Sequence, residues 1–231
     1  DGKPTGLCRQ YGESGVLICE WNYSGGLLEG ESKSFHNNGK PSWMGTYKNG
    51  NKEGKFVDYH GGMYTEWNYA GGKLQGVSRK YTASSTPGKS GNLTAENNYK
   101  DNMLEGLSKE YYPSGKIQRE SLYYGGRLNG LTKIYYAATG KTAVEENFYY
   151  DKREGASKWY YPGGEIMWQR NYKENKLEGK SSVYRQNGKL YVESVYKEGR
   201  PEGEMKLFDD KGKLFASAKY EEAVAPQPAA A

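Results

Sequence analysis

Gly30-Glu-Ser-Lys-Ser-Phe35 and Gly54-Lys-Phe-Val-Asp-Tyr59 are two copies of the stretch that decides the fold, a glycine followed five residues later by an aromatic. The glycines of this pattern are Gly6, Gly30, Gly54, Gly76, Gly106, Gly130, Gly155, Gly179 and Gly203. The aromatics that follow them are Tyr11, Phe35, Tyr59, Tyr81, Tyr111, Tyr135, Tyr160, Tyr184 and Phe208. Successive glycines are 24, 24, 22, 30, 24, 25, 24 and 24 residues apart. A period of this length indicates an array of small repeated units.

A second aromatic stands seven residues before the next repeat glycine. The residues at this position are Tyr23, Tyr47, Tyr69, Tyr99, Tyr123, Phe148, Tyr172 and Tyr196, and Tyr220 holds the equivalent place after Phe208. Turn-forming dipeptides such as Asn49-Gly50 and Gly71-Gly72 separate the extended stretches, and these favour tight hairpin turns. We therefore predict an all-β array of about nine β-hairpins that form one long twisted antiparallel sheet, with essentially no helix.

The composition agrees with a thin repeat array. The chain has 231 residues, of which 35% are hydrophobic, and its mean hydropathy is −0.99. These values are typical of disordered chains, but 23 tyrosines and 5 tryptophans at fixed positions argue against disorder. We expect one domain over residues 1–222, in which each unit buries little and stacks on its neighbours, and a low-complexity Ala/Pro tail over residues 223–231.

Two positions in the repeat predict the faces of the sheet. The residue two places after the repeat glycine is usually small, as in Ser32, Ser78 and Ser157, and the residue three places after it is usually Arg or Lys. Acidic residues stand ten places before the next repeat glycine, as in Glu20 and Glu96. We expect these acids to lie diagonal to the basic residues on one face, in weak but repeated ion pairs.

The interval from Gly76 to Gly106 is longer than the others, and the extra residues fall in a turn. This turn contains the candidate binding loop Ser84, Ser85, Thr86, Pro87, Gly88 and Lys89. Long loops of repeat proteins often carry binding residues, whereas an insertion that is merely tolerated at an exposed turn is the alternative.

The unit Tyr47-Lys-Asn-Gly-Asn-Lys-Glu-Gly54 resembles the MORN repeat, and the same unit recurs at 99–106, 172–179 and 196–203. The resemblance covers nearly the whole chain and is closest to the bacterial variant in YwqK-family antitoxins. It implies a binding scaffold, and for the antitoxin members it implies contact with a toxin protein. The Tyr-Tyr doublets at 111–112 and 135–136 also resemble choline-binding cell-wall repeats, which have a shorter period.

The only two cysteines are placed to face each other in the first hairpin. If the turn pairs Tyr11 with Val16, then Cys8 lies opposite Cys19, close enough for a disulfide. A disulfide indicates an oxidising compartment. The alternative is two reduced thiols that pack as small apolar residues.

No motif for catalysis, phosphate binding or dinucleotide binding is present, so we expect no enzyme, no cofactor and no metal site. The net charge of +5 is mild and both signs are interspersed, so we expect no nucleic-acid partner. No apolar run is long enough to span a bilayer. The second tyrosines of three doublets, Tyr112, Tyr136 and Tyr161, are candidates for an exposed stripe that a partner covers.

The sequence therefore predicts a non-enzymatic scaffold for protein–protein interaction, exported to the bacterial envelope. The first residue is Asp1 rather than methionine, which either removal of a signal segment or truncation of a longer chain explains. One alternative is an antitoxin that neutralises a toxin protein in the cytoplasm, and another is a cell-wall or glycan-binding module. The open edges of the sheet also suggest a homodimer that pairs through them.

Overall fold

The computed structural model of the chain describes residues 2–82 and 91–220. Over these residues it contains 22 β-strands and no helix, which confirms the predicted all-β hairpin array. The chain divides into two compact units, Asp1–Leu128 and Asn129–Ala231, where the sequence predicts one array over 1–222. The candidate loop Ser84–Lys89 and the tail 223–231 lie outside the described residues.

The first unit is an antiparallel sheet in which each strand pairs with strands close to it along the chain. Its strands are β1 (Gly6–Tyr11), β2 (Leu17–Ser24), β3 (Leu27–Leu28), β4 (Gly30–Phe35), β5 (Pro41–Lys48), β6 (Asn51–His60), β7 (Met63–Ala70), β8 (Lys73–Leu74), β9 (Gly76–Thr82), β10 (Leu93–Lys100), β11 (Met103–Leu104), β12 (Gly106–Tyr111) and β13 (Ile117–Tyr124). This order makes the unit a meander of hairpins.

The second unit repeats the same antiparallel arrangement. Its strands are β14 (Arg127–Tyr135), which begins two residues before the boundary, β15 (Thr142–Tyr149), β16 (Lys152–Tyr160), β17 (Ile166–Lys173), β18 (Lys176–Leu177), β19 (Gly179–Tyr184), β20 (Leu190–Lys197), β21 (Arg200–Phe208) and β22 (Leu214–Lys219).

One end of each hairpin closes in a tight two-residue turn. Lys48 pairs with Asn51 across Asn49 and Gly50, whose φ angles are 50° and 81°. Two successive left-handed residues form a type I′ turn, which matches the twist of the strands it joins. The same pair of positive φ angles occurs at 25–26, 61–62, 71–72, 101–102, 125–126, 150–151, 174–175 and 198–199.

The repeat glycines lie just after these turns, where the backbone bulges. All nine have a positive φ, which is 69° at Gly54. No atom lies within 4 Å of the position that a Cβ on Gly54 would occupy, so space does not demand glycine there. The left-handed backbone demands it, because an L side chain clashes with its own carbonyl in that conformation.

The opposite end of most described hairpins closes in a wider turn, whereas β6 and β7 are joined there by the tight turn at 61–62. In the second hairpin the His36 N–H donates to the Lys40 carbonyl at 2.8 Å. The pairing register also shifts between Ser34 and Phe35, so that Phe35 faces Pro41. A shift occurs at the same aromatic position of β1, β12, β14, β16, β19 and β21.

Alternation along the strands gives each unit two distinct faces. The serine face carries the repeat glycine and the residues two and four places after it, and the ladder face carries the residues one and three places after it. The buried small residues Ser32, Ser78, Ser108, Thr132, Ser157 and Ser181 all lie on the serine face. The most buried large side chain on that face is Phe56, which is 1% exposed and lies directly opposite both Gly45 and Trp67.

The ladder face carries the predicted ion pairs, but they are opposed rather than diagonal. Glu20 lies directly opposite Arg9 in its own hairpin and opposite Lys33 in the next. Glu96 lies in the same way between Arg79 and Lys109. The Arg9 Nε–Glu20 Oε1 and Arg79 Nε–Glu96 Oε2 distances are both 2.8 Å. Each acid therefore joins two successive hairpins, although a single partly exposed pair stabilises little.

Candidate functional site

A glutamate before the repeat glycine links each tight turn to the next. The carboxylate of Glu53 accepts a hydrogen bond from the Gly71 N–H at 2.8 Å, and Glu105 accepts one from the Gly125 N–H at 2.8 Å. Equivalent bonds join Glu29 to Asn49, Glu154 to Glu174, and Glu178 to Glu198. These carboxylates stabilise turns that lie about one repeat further along the chain, a role that the sequence analysis missed although the Glu-Gly pair recurs.

An asparagine spans the bulge at the repeat glycine. The Asn98 side-chain amide donates to the Leu107 carbonyl at 2.7 Å, and Asn147 donates to the Ala156 carbonyl at 2.7 Å. Asn22 and Asn68 make the same contact with Glu31 and Val77. The bulge would otherwise leave these carbonyls without a partner, so these asparagines maintain the array and are not free for binding.

Tyr112, Tyr136 and Tyr161, the second tyrosines of the doublets, are half-buried. The prediction that they are exposed is therefore wrong. The Tyr136 hydroxyl donates to the Tyr160 carbonyl at 2.5 Å, and the Tyr161 hydroxyl donates to the Tyr184 carbonyl at 3.0 Å. The Tyr112 N–H donates to the Lys116 carbonyl in the wide turn at 2.9 Å. Tyr136 and Tyr161 therefore hold one hairpin to the next, and partner binding by the three stays a prediction.

The predicted Cys8–Cys19 pairing is wrong. Cys8 lies opposite Trp21, and Cys19 lies opposite Gln10. The wide turn is longer than the sequence analysis assumes, and the register shifts between Gln10 and Tyr11. The two cysteines are then diagonal neighbours, about 7–8 Å apart in such a sheet, which is too far for a disulfide. Both are free thiols, and the Cys19 thiol donates to Ser34 Oγ at 3.6 Å.

An exposed apolar patch lies on the ladder face of the first unit, toward the tight turns. It consists of Met103, Leu107, Leu122 and Tyr124, which we call the apolar patch. Leu107 and Leu122 lie directly opposite each other and are 36% and 38% exposed. Met103 and Tyr124 are 49% and 55% exposed. Sequence periodicity did not reveal the patch, because its members occupy different positions of the repeat.

A pocket of about 140 Å³ lies in the first unit, and most of its lining belongs to the serine face. The lining residues are Thr65, Trp67, Ser78, Arg79, Lys80 and Asn97. The Trp67 indole N–H donates to Asp58 Oδ2 at 2.8 Å, which fixes the ring at the pocket wall. The pocket therefore combines an aromatic wall with hydroxyl, amide and ammonium groups.

Tyr160, Glu145 and Lys133 form a cluster of ionisable groups in the second unit. The Tyr160 hydroxyl donates to Glu145 Oε2 at 2.7 Å, and the Lys133 ammonium lies 3.3 Å from Glu145 Oε1. Burial, then the hydrogen bond to Glu145 and the carboxylate charge, raise the pKa of Tyr160 to about 12. Burial alone would raise the pKa of Glu145, but the hydrogen bonds from Tyr160 and Lys133 hold that pKa below its usual value.

Over residues 2–82 and 91–220, no three histidine, cysteine or acidic side chains group closely enough to hold a metal ion. Within the same part of the chain, no helix has the length and apolar character that crossing a bilayer requires.

Comparison with protein families finds a similarity over four segments of the chain. Residues 28–49, 104–123, 153–174 and 177–198 match the model of the MORN repeat variant. Each match holds one repeat glycine and the strand that pairs with it, and two matches fall in each unit. The search of curated proteins finds no significant match. Segments similar to the MORN repeat variant therefore lie in both units of the chain.

Proposed function

We propose that this protein is a non-enzymatic scaffold that binds a protein partner through the apolar patch. The observation that carries the proposal is the exposure of Met103, Leu107, Leu122 and Tyr124 on one face of one sheet. Contiguous exposed apolar side chains on a soluble protein often mark an interaction surface. Tyrosine and methionine are also enriched at the centres of such interfaces.

The surroundings of the patch suit a protein surface. The next pair along β12 and β13 on the ladder face is Lys109 with Glu120, whose charged atoms are 3.7 Å apart. An apolar centre bordered by charged residues resembles the core and rim of a protein interface. The rim charges would then set the orientation of the partner, while the apolar side chains would supply most of the affinity.

A photo-crosslinking residue in place of Tyr124 tests the proposal in cells of the source organism. We expect one protein to be crosslinked, and we expect Leu107→Lys to abolish that crosslink by placing a charge at the centre of the interface. Leu7→Lys is the matched control, because Leu7 occupies the same repeat position and is 48% exposed. The proposal fails if Leu7→Lys removes the crosslink equally or if Leu107→Lys leaves it unchanged.

A second candidate is a cytoplasmic antitoxin whose partner is a toxin protein. The free thiols of Cys8 and Cys19 favour it, since reduced cysteines are usual in the cytoplasm. Export to the envelope stays a proposal. Fractionation of source cells separates the two compartments, and co-expression with a neighbouring toxin gene shows whether growth is rescued. Rescue that depends on Leu107 would assign the antitoxin role to the apolar patch.

Self-association through sheet edges is a separate proposal. Among the described residues, β1 pairs only with β2 and β22 pairs only with β21. Both strands expose apolar side chains, Leu7 on β1 and Phe215 on β22. Light scattering over a range of concentrations tests this pairing, and a monomer at every concentration would contradict it.

A further inference from the structure

The pocket beside Trp67 is built around one unpartnered hydroxyl. Ser78 is 3% exposed, and among the described residues its Oγ has no hydrogen-bond partner. Asn97 lies directly opposite Ser78, but the Asn97 Oδ1 instead accepts a hydrogen bond from Ser108 Oγ at 2.6 Å. A buried hydroxyl without a partner destabilises a fold, so its presence at a pocket floor calls for a ligand group that completes it.

The aromatic wall of the pocket is held rigidly. Trp67 is half-buried, its indole N–H is bonded to Asp58, and its ring centroid lies 6.1 Å from that of Tyr99 in an edge-to-face contact. A ring fixed in this way offers a flat apolar surface at little cost in side-chain entropy. Such a surface suits a ligand with a flat face of C–H groups.

The polar groups around the pocket define the other side of that ligand. Lys80 lies directly opposite Thr65 on the serine face and is exposed. The Lys80 ammonium supplies a positive charge, while the Thr65 and Ser78 hydroxyls both donate and accept hydrogen bonds. The volume of about 140 Å³ is well below the roughly 300–1,000 Å³ of drug-sized sites. The pocket therefore fits a single small ring.

The same three groups recur in the second unit. Ser157 is 1% exposed, its Oγ has no partner among the described residues, and it lies directly opposite Arg170. The Arg170 guanidinium lies 4.5 Å from the Trp168 ring centroid and 5.9 Å from that of Trp159. The Arg170 Nε is also without a partner in the described part of the chain. The guanidinium therefore covers the Trp168 ring, so this cluster lacks the aromatic face that Trp67 offers to a ligand.

We propose that the pocket at Trp67, Ser78 and Lys80 binds one pyranose ring of an acidic glycan. The C–H face of the sugar packs on the tryptophan, a ring hydroxyl bonds the buried serine, and the carboxylate of the sugar pairs with the cation. This site lies on the serine face, so it is distinct from the apolar patch on the ladder face.

Isothermal titration calorimetry of the full chain with trigalacturonate tests the proposal. We expect binding that weakens by about tenfold or more in Ser78→Ala, with no fall in the midpoint of thermal unfolding. Lys80→Met should weaken binding in the same way. The matched control is Ser32→Ala, because Ser32 is a buried serine at the same repeat position outside the pocket; this variant should leave the affinity within about twofold.

Four results would overturn the proposal. These are no binding of trigalacturonate, equal affinity in Ser78→Ala, equal affinity for the neutral cellotriose, and equal affinity for a polyglutamate peptide. The last two would show that charge or shape alone is recognised. None of these results affects the crosslink from position 124 or its dependence on Leu107. Failure of the glycan proposal can therefore be distinguished from failure of the scaffold proposal.

Discussion

Phe56 and Ser78 occupy the same position of the repeat, two residues after Gly54 and Gly76, but their side chains have opposite surroundings. Phe56 is closed in by rings, with centroids of Tyr47 and Tyr69 both 5.3 Å away. Ser78 lies at the floor of an open pocket and has no partner for its hydroxyl among the described residues. One repeat pattern therefore produces a packed cluster in one hairpin and a candidate binding site in the next.

The difference comes from which strand supplies the large side chain. Opposite Phe56 the preceding strand has Gly45, and a Cβ built on Gly45 would overlap the Phe56 ring. At Ser78 the order is reversed, because the small residue is on the strand that begins at the repeat glycine and Trp67 is on its neighbour. The comparison teaches that a large residue from either strand can cover the sheet, but only the second arrangement leaves a polar floor.

Removal of the Phe56 ring should have the largest effect. We expect Phe56→Ala to lower the free energy of unfolding by about 3–5 kcal/mol, because the cavity would lie beside Gly45 and no neighbouring side chain could fill it. Urea unfolding followed by tryptophan fluorescence measures the change. A loss below about 1 kcal/mol would show that the cluster does not stabilise the first unit.

A Cβ at Gly45 tests the same cluster from the other strand. Gly45→Ala should cost about 1–3 kcal/mol through overpacking against the Phe56 ring. The same substitution should cost much less when Phe56 is already alanine, because the clash is then gone. Equal costs in the two backgrounds of this double-mutant cycle would show that Gly45 is needed for another reason.

The repeat glycines should matter equally in both regions. Gly54→Ala and Gly76→Ala should each cost about 1–2 kcal/mol, since φ is 69° and 72° and an L side chain strains that backbone. Asparagine at either site should cost less, because it tolerates the left-handed conformation. If Gly54→Ala and Gly76→Ala lower the free energy of unfolding by very different amounts, the two hairpins differ by more than Phe56 and Ser78. That result would contradict the comparison made above.

Stability should depend on pH through Tyr160 and Glu145. Because the pKa of Tyr160 is raised to about 12, its contribution to stability is present below the ordinary tyrosine pKa of about 10 and is lost as pH rises from there toward 12. Tyr160→Phe should reduce this alkaline loss, measured as the urea midpoint against pH, and Tyr184→Phe is the control. Because the pKa of Glu145 is depressed, its contribution is present above the ordinary glutamate value and is lost as pH falls through the depressed pKa.

The sequence predicts the fold well because its signals are backbone signals. Backbone positions with a positive φ, in the tight turns and at the repeat glycines, favour glycine, asparagine and aspartate, so these residues recur at fixed places in the sequence. The positions of the ion pairs follow from the alternation of side chains along each strand. The Cys8–Cys19 prediction fails because one extra residue in the wide turn changes the register, and the sequence does not mark that residue.

The candidate sites are harder to predict because they depend on side-chain partners. The sequence shows that Tyr136 and Tyr161 occupy a repeated position, but it does not show that their hydroxyls bond to the next hairpin. Ser78 and Ser108 are identical in the repeat, and only the orientation of Asn97 distinguishes a free hydroxyl from a satisfied one. The apolar patch combines residues from three strands at unrelated repeat positions.

The most direct test of the account compares the free energies of unfolding of Ser78→Ala and Ser108→Ala. Ser78→Ala should leave the stability unchanged or slightly higher, because it removes a buried hydroxyl that has no partner among the described residues. Ser108→Ala should lower it by about 1 kcal/mol, because Asn97 loses its hydrogen bond. If Ser78→Ala destabilises the protein as much as Ser108→Ala does, the Ser78 hydroxyl supports the fold, and the claim that the serine floor is held ready for a ligand is wrong.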